Sequence, residues 1–223
     1  MTNTFWNSIK QVLARYITRL PQPSFFADHF FNLDWRSLGL NVNLVNLVRH
    51  PVSRIASYFY YTEQRWMRRH PNQQRRSDFS ECVLSGDERC LVGGSREKIY
   101  GRVEMLLSYF CGQERICRDP ESREALAIAR RAVEKDYSVV GLLEQLNVTL
   151  TVMEHLLPLW FQGARAFFEE SPIQANRNSH PEPSLAAAEI LSWRLRHDIE
   201  LYQLIKQRLH WQYIGLVRTQ NIS

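Results

Sequence analysis

The spacing of apolar residues in the first third of the chain predicts a helix, a strand and a second helix. Apolar residues recur at helical spacing through residues 5–20, and Pro21-Gln22-Pro23 ends that helix. Leu44–Val48 is a short apolar run without polar alternation, which predicts a strand buried on both faces. Pro51 suits the first position of the next helix. The apolar face of that helix carries Val52, Ile55, Ala56 and Phe59.

The rest of the chain continues this alternation. Residues 121–135 predict a helix, residues 137–141 a second buried strand, residues 142–157 a helix stopped by Pro158, and residues 185–210 a final helix. The helix over 121–135 is expected to face inward with Ala125, Ile128, Ala129, Ala132 and Val133. The pattern indicates an α/β fold, a mostly parallel sheet flanked by helices.

The length and composition favour one globular domain over residues 1–223. The chain is 44% hydrophobic, and its longest apolar runs fall far short of the roughly 20 residues of a membrane-spanning helix. The first fifteen residues lack the charged start, apolar middle and cleavage site of a signal peptide. We therefore expect neither a membrane span nor a targeting segment in this sequence.

Positive charge is concentrated in one stretch. The net charge is +5, and the basic residues are 24 Arg and only 4 Lys. Such a bias favours planar contacts with oxyanions, although a base-composition bias of the gene explains part of it equally well. Residues 49–77 hold seven Arg and one acid, Glu63, and so carry +6. A field of this size attracts phosphate, sulfate, nucleic acid or an acidic polysaccharide.

The four cysteines form two close pairs, Cys82 with Cys90 and Cys111 with Cys117. Neither pair is CxxC and no histidine follows at zinc-finger spacing, so two short-loop disulfides fit better than a metal site or free thiols. Such bonds persist in an oxidising compartment, and the glycosylation sequon at Asn147 is compatible with one.

Several segments carry a family resemblance. Residues 48–60, VRHPVSRIASYFY, resemble the 3′-phosphate-binding signature of sulfotransferases that use 3′-phosphoadenosine 5′-phosphosulfate (PAPS). More narrowly, the chain resembles the uronyl and heparan sulfate 2-O-sulfotransferases, including the insect Pipe group. The resemblance covers residues 29–164 best. Its further segments, in order, are HFFNLDW from residue 29, both cysteine loops, VVGLLEQL from residue 139 and LPLWFQGA from residue 157.

This resemblance implies specific roles. Arg49 and Ser57 would bind the 3′-phosphate of PAPS, with Arg54 a weaker candidate, and His29 would be the catalytic base that takes the proton of a sugar hydroxyl. Without the resemblance, these arginines would be solvated surface charges and His29 a core or stacking histidine. The acceptor, an acidic polysaccharide or glycoprotein, would lie on Arg65, Arg68 and Arg69.

Other interpretations of this basic run are a solvated loop and a nucleic-acid surface. No nucleic-acid motif accompanies the run, and the expected disulfides oppose a nuclear or cytosolic site. The family further implies a Golgi location, a membrane anchor and a trimeric assembly, and no metal. Residues 176–179 loosely resemble its cofactor-covering loop.

Two departures from the family bear on activity. The family has an acid where this chain has His50. Its members also begin with a strand and a phosphate-cradling loop bearing a lysine, which this sequence does not show, so we expect a fold that is incomplete at its amino end. Two hypotheses remain, a PAPS-dependent 2-O-sulfotransferase and a non-catalytic relative that binds the nucleotide or a sulfated glycan.

Overall fold

The computed structural model describes residues 3–29, 31–71, 78–87, 90, 105–170 and 180–220. In these ranges a small parallel sheet is surrounded by helices. The strands are β1 (Leu44–Val48) and β2 (Tyr137–Leu142). The helices before β2 are α1 (Asn3–Thr18), α2 (Pro51–Arg69), α3 (Phe79–Leu84), α4 (Leu106–Cys111) and α5 (Arg123–Lys135). Those after it are α6 (Leu146–Leu156), α7 (Pro158–Phe161), α8 (Ala164–Glu170), α9 (Leu185–Arg194) and α10 (Arg196–Gln220).

The two predicted strands pair in parallel, which confirms the α/β class. The register joins Leu44 to Tyr137 at one end and Val48 to Leu142 at the other. β2 is almost wholly buried, because α5, α6 and α10 pack around it. The expectation that β1 is buried on both faces was wrong: Leu47 is 41% exposed, because the described helices pack mainly on β2 and leave one face of β1 partly uncovered.

The core forms where the helices turn their apolar faces to β2. The predicted inner face of α2 is confirmed, with Ile55 and Ala56 fully buried. On α5, four of the five predicted inward residues are buried, but Ile128 is 37% exposed and Leu126 is buried in its place. The buried face of α5 thus contains three alanines, and the helix packs against α4, α10 and β2.

Three predicted helix limits were wrong, namely the start at residue 142, the unbroken course over residues 185–210 and the end at residue 210, whereas the stop at Pro158 is confirmed. Residues 142–145 are not α-helical: Leu142 ends β2, and a short 3-10 turn over Leu143–Gln145 precedes α6. Pro158 does not only stop α6 but opens α7, because proline is well suited to the first turn of a helix. The single helix expected over residues 185–210 is two helices that meet at Leu195, and the second runs to Gln220.

The break at Leu195 positions a buried carboxylate. Asp198, in the first turn of α10, accepts the backbone N–H groups of Leu106 and Leu107 at 2.8 and 2.9 Å. It thereby caps the start of α4, whose first amides have no partner within the helix. Burial raises the pKa of Asp198, and these amides and the Arg54 charge oppose that rise.

Both predicted disulfides are present in the structure. Cys82 is joined to Cys90 and Cys111 to Cys117, with Cα–Cα distances of 6.1 and 5.4 Å. All four cysteines are in these bonds. None of the helices in the described ranges is long and apolar enough to cross a membrane.

Candidate active site

The carboxyl ends of β1 and β2 lie side by side and carry polar residues. Val48 pairs with Leu142, so Arg49-His50 and Leu143-Glu144 follow the two strands at the same edge of the sheet. The Glu144 carboxylate joins the two turns: its Oε1 accepts the backbone N–H of His50 at 2.7 Å. In parallel α/β sheets this edge is where ligands bind.

Helix α10 closes the same edge from one side. The Tyr202 hydroxyl donates to Glu144 Oε2 at 3.2 Å, and its ring packs edge-on against the His50 imidazole with centroids 5.2 Å apart. Two turns further along α10, His210 Nε2 lies 2.6 Å from Gln145 Oε1. Each oxygen of Glu144 thus has a partner, one from the turn before α2 and one from α10.

The protonation states in this cluster follow from burial. Burial lowers the pKa of His50, Glu144 opposes the shift and Lys206 reinforces it. Burial and, after it, the Glu144 charge raise the pKa of Tyr202 to about 12. His50 is therefore neutral at neutral pH, and Tyr202 keeps the proton that it donates.

A carboxylate from a distant part of the chain holds the start of α2. In the family that the sequence resembles, an acid stands where this chain has His50, and the His50 side chain does not cap α2. Glu144 reaches across from the end of β2 to the amide at the start of α2. The sequence analysis missed Glu144, although its position directly after a predicted buried strand could have drawn attention to it.

Arg49 and Ser57 are both half-buried and both available to a ligand. Within the described part of the chain, the Arg49 guanidinium has no hydrogen bond or ion pair. A serine inside a helix often donates to the carbonyl four residues before it, but the Ser57 hydroxyl makes no hydrogen bond with any described residue. The donors present thus suit a phosphate, which accepts from a guanidinium and a hydroxyl.

Arg54 lies on the same face of α2 as Ser57, one turn before it. It is half-buried, and its charge acts on the buried Asp198 carboxylate and lowers the pKa of that group. The charge of Arg54 therefore partly offsets the cost of burying the Asp198 carboxylate.

His29 is exposed on the coil before β1, where its backbone N–H donates to Asp28 Oδ1 at 2.7 Å. The segment that follows it is anchored at the amino end of β2: Asn32 Nδ2 lies 3.5 Å from Asp136 Oδ2, and the Asn32 N–H donates to the Tyr109 carbonyl at 2.6 Å. Arg49 stands at the opposite, carboxyl end of the strands. No contact in the described residues brings His29 and Arg49 together.

The arginines predicted to bind the acceptor glycan lie on α2, the helix that also carries Arg54 and Ser57. Arg65 Nη1 donates to the Tyr61 hydroxyl at 3.2 Å, and Arg68 Nη2 donates to Gln64 Oε1 at 3.0 Å. Arg68 and Arg69 are exposed in the last turn of α2, where a positive charge also complements the helix dipole. Arg75, Arg76 and the segment 176–179 lie outside the described residues.

Asn147 is exposed in the first turn of α6. The threonine of its sequon, Thr149, is buried, and Oγ1 of Thr149 accepts the Leu142 N–H at 2.9 Å and lies 3.2 Å from the Leu142 carbonyl. Thr149 thus fixes the end of β2 to α6, while Asn147 stays accessible.

Comparison with known proteins points to one group of enzymes. No family model matches the chain. The uronyl 2-sulfotransferase homologue of Drosophila melanogaster is 29% identical over 225 residues, covering 92% of this chain and 44% of that protein. The human uronyl 2-sulfotransferase is 28% identical over 214 residues, 89% of this chain and 50% of that protein. The chain is thus related to the 2-O-sulfotransferases.

The relation extends to the heparan sulfate branch. The heparan sulfate 2-O-sulfotransferase 1 of Gallus gallus is 29% identical over 153 residues, 66% of this chain and 41% of that protein. These relatives of the chain are sulfotransferases by name. The chain spans half or less of the length of each of these three relatives.

Proposed function

We propose that this chain is part of a PAPS-dependent carbohydrate 2-O-sulfotransferase that acts on a uronic acid in a glycosaminoglycan or similar acidic glycan. The observation that carries the proposal is the unpartnered Arg49 at the turn between β1 and α2. This turn lies at the carboxyl edge of the sheet, in a chain 28–29% identical to named sulfotransferases. The relation also leads us to propose a Golgi lumenal location, a membrane anchor and a trimeric assembly.

The proposed nucleotide site is built from α2 and the turn before it. Arg49 would donate in bidentate fashion to the 3′-phosphate, and the Ser57 hydroxyl would donate from the exposed side of the same helix. Glu144 keeps the turn in place through the His50 amide, so that the guanidinium needs little reorganisation on binding. Arg54 is the weaker candidate, since its charge already acts on Asp198.

The proposed chemistry requires a base and a cationic surface. PAPS supplies the sulfuryl group as the donor substrate. As the sugar hydroxyl oxygen bonds to sulfur and the sulfur–oxygen bond to the leaving phosphate breaks, His29 would accept the hydroxyl proton. Its exposed position leaves it accessible to a bulky polymer. Arg65, Arg68 and Arg69 would attract the acidic polymer.

A specific observation favours a second candidate, a module that binds the nucleotide or a sulfated glycan without turnover. The segment after His29 is anchored at the amino end of β2, whereas Arg49 stands at the carboxyl end of β1. If the base and the donor site are held at opposite ends of the strands, the protein would bind its ligands without transferring sulfate.

A transfer assay separates the two candidates. Sulfate transfer from radiolabelled PAPS to 2-O-desulfated heparin would be measured for the wild type, His29→Ala and Arg49→Ala. The enzyme proposal predicts transfer by the wild type and its loss in both variants, with nucleotide binding kept in His29→Ala. Nucleotide binding without transfer by the wild type would establish the non-catalytic module instead.

A further inference from the structure

Helix α10 presents a polar stripe to the carboxyl edge of the sheet. Tyr202, Lys206 and His210 are spaced by four residues and therefore lie on one face of the helix. The two ends of the stripe are fixed by contacts: Tyr202 packs on His50 and Glu144, and His210 lies 2.6 Å from Gln145. Lys206, between them, faces the same edge as Arg49.

Lys206 has no carboxylate partner in the described part of the chain. It is half-buried, and no described acid lies within ion-pair distance of its ammonium. Glu144, the acid at this edge, is bound to the His50 amide and the Tyr202 hydroxyl. The Lys206 charge acts on the imidazole of His50, the residue next to Arg49. Two free cations therefore flank one turn.

Further along, α10 leaves this edge of the sheet. Arg208 Nη2 donates to the Tyr137 carbonyl at 2.6 Å and Gln212 Nε2 donates to the Ser138 carbonyl at 2.8 Å, both at the amino end of β2. Lys206 lies one turn after Tyr202, on the part of α10 that is still near the Arg49 turn. Its ammonium group suits a phosphate oxygen there.

We propose that Lys206 is a second phosphate-binding cation beside Arg49. This proposal rests on the proposed nucleotide site and extends it from α2 to α10. Sequence reasoning had found no lysine for the donor nucleotide, because Lys206 lies 157 positions after Arg49 and is brought near only by the packing of α10.

The chain offers a matched control for this assignment. Lys135 is also a helical lysine without a described ion-pair partner, but it lies at the end of α5, next to the amino end of β2. Adenosine 3′,5′-bisphosphate would be titrated into the wild type, Lys206→Gln, Lys206→Arg, Lys135→Gln and Arg49→Ala. Thermal unfolding of each variant would show that it folds.

We expect Lys206→Gln to weaken the affinity about tenfold or more, the effect of losing a charge-assisted contact. Lys206→Arg should bind nearly as well as the wild type, and Lys135→Gln should bind with the affinity of the wild type. The inference is overturned if Lys206→Gln binds like Lys135→Gln while Arg49→Ala is impaired. If Arg49→Ala also binds like the wild type, the proposed nucleotide site fails as well.

Discussion

Glu144, which follows β2, and His50, which precedes α2, are joined by a hydrogen bond of 2.7 Å from the His50 amide to Glu144 Oε1. The two residues are 94 positions apart in the chain. The bond ties the turn after one strand to the turn after its parallel neighbour, and Arg49 lies inside the turn that it fixes. This carboxylate is a positioning group in our account.

Glu144→Ala removes this bond and should loosen the Arg49 turn. We expect a loss of about 1–3 kcal/mol in the free energy of unfolding, and a weaker affinity for adenosine 3′,5′-bisphosphate. Tyr202→Phe removes only the bond to Oε2 and should have the smaller effect on both quantities. Urea denaturation and calorimetric titration measure them. A Glu144→Ala protein that binds the nucleotide as the wild type does would show that Glu144 does not position Arg49.

The stability should depend on pH through His50. Its pKa is lowered in the folded protein, so the imidazole binds a proton less readily than in the unfolded chain. The stability from His50 is therefore fully present above its unfolded pKa of about 6.5 and is lost as the pH falls through the lower, folded value. Glu144 opposes this shift, and Lys206 reinforces it.

His50→Gln tests this pH dependence, because the backbone bond to Glu144 remains. We expect the wild type to lose more stability than His50→Gln between pH 7.5 and pH 5, measured by chemical denaturation at each pH. Equal losses in the two proteins would contradict the assignment of this pH dependence to His50.

Gly141 should not tolerate a side chain. A Cβ at this position would overlap Thr149 Cγ2 and would lie 3.1 Å from Leu47 Cδ1. Thr149 is held by the Leu142 backbone and so cannot easily turn away. We expect Gly141→Ala to destabilise the fold by about 2 kcal/mol, typical of overpacking.

Gly215 provides the matched control in α10, because nothing lies within 4 Å of a Cβ added there. Gly215→Ala should raise the stability by up to about 1 kcal/mol through helix propensity. Thermal unfolding of the two variants side by side measures both effects. A neutral Gly141→Ala would mean that β2 and α6 are not packed as described.

Much of this fold could be predicted from the sequence, because its signals are local. Pro51 after an apolar run marked the strand, the turn and the start of α2. The boundaries that could not be predicted are set by distant partners: the break at Leu195 places Asp198 at the start of α4, and periodicity alone carries no trace of that contact. Arg49 could be identified because its motif is local in the sequence. Glu144 and Lys206 could not, because only tertiary packing brings them toward the Arg49 turn.

Asp198 gives a direct test of that distant contact. Asp198→Asn replaces one of its two acceptor oxygens with a donor that faces a backbone amide, so we expect a loss of about 2 kcal/mol in unfolding free energy. Asp119→Asn is the control, since Asp119 is exposed and accepts one turn amide, that of Glu121. If urea denaturation gave equal, small losses for both variants, the cap on α4 would not contribute to stability.

Calorimetric titration of adenosine 3′,5′-bisphosphate tests most directly whether Arg49 binds a nucleotide phosphate. We predict binding by the wild type, a loss of affinity of about tenfold or more in Arg49→Ala and a smaller loss in Ser57→Ala. Arg194→Ala is the control: this substitution lies at the end of α9 and should leave the affinity unchanged. Equal affinity in the wild type and Arg49→Ala, with both proteins folded, would contradict the account.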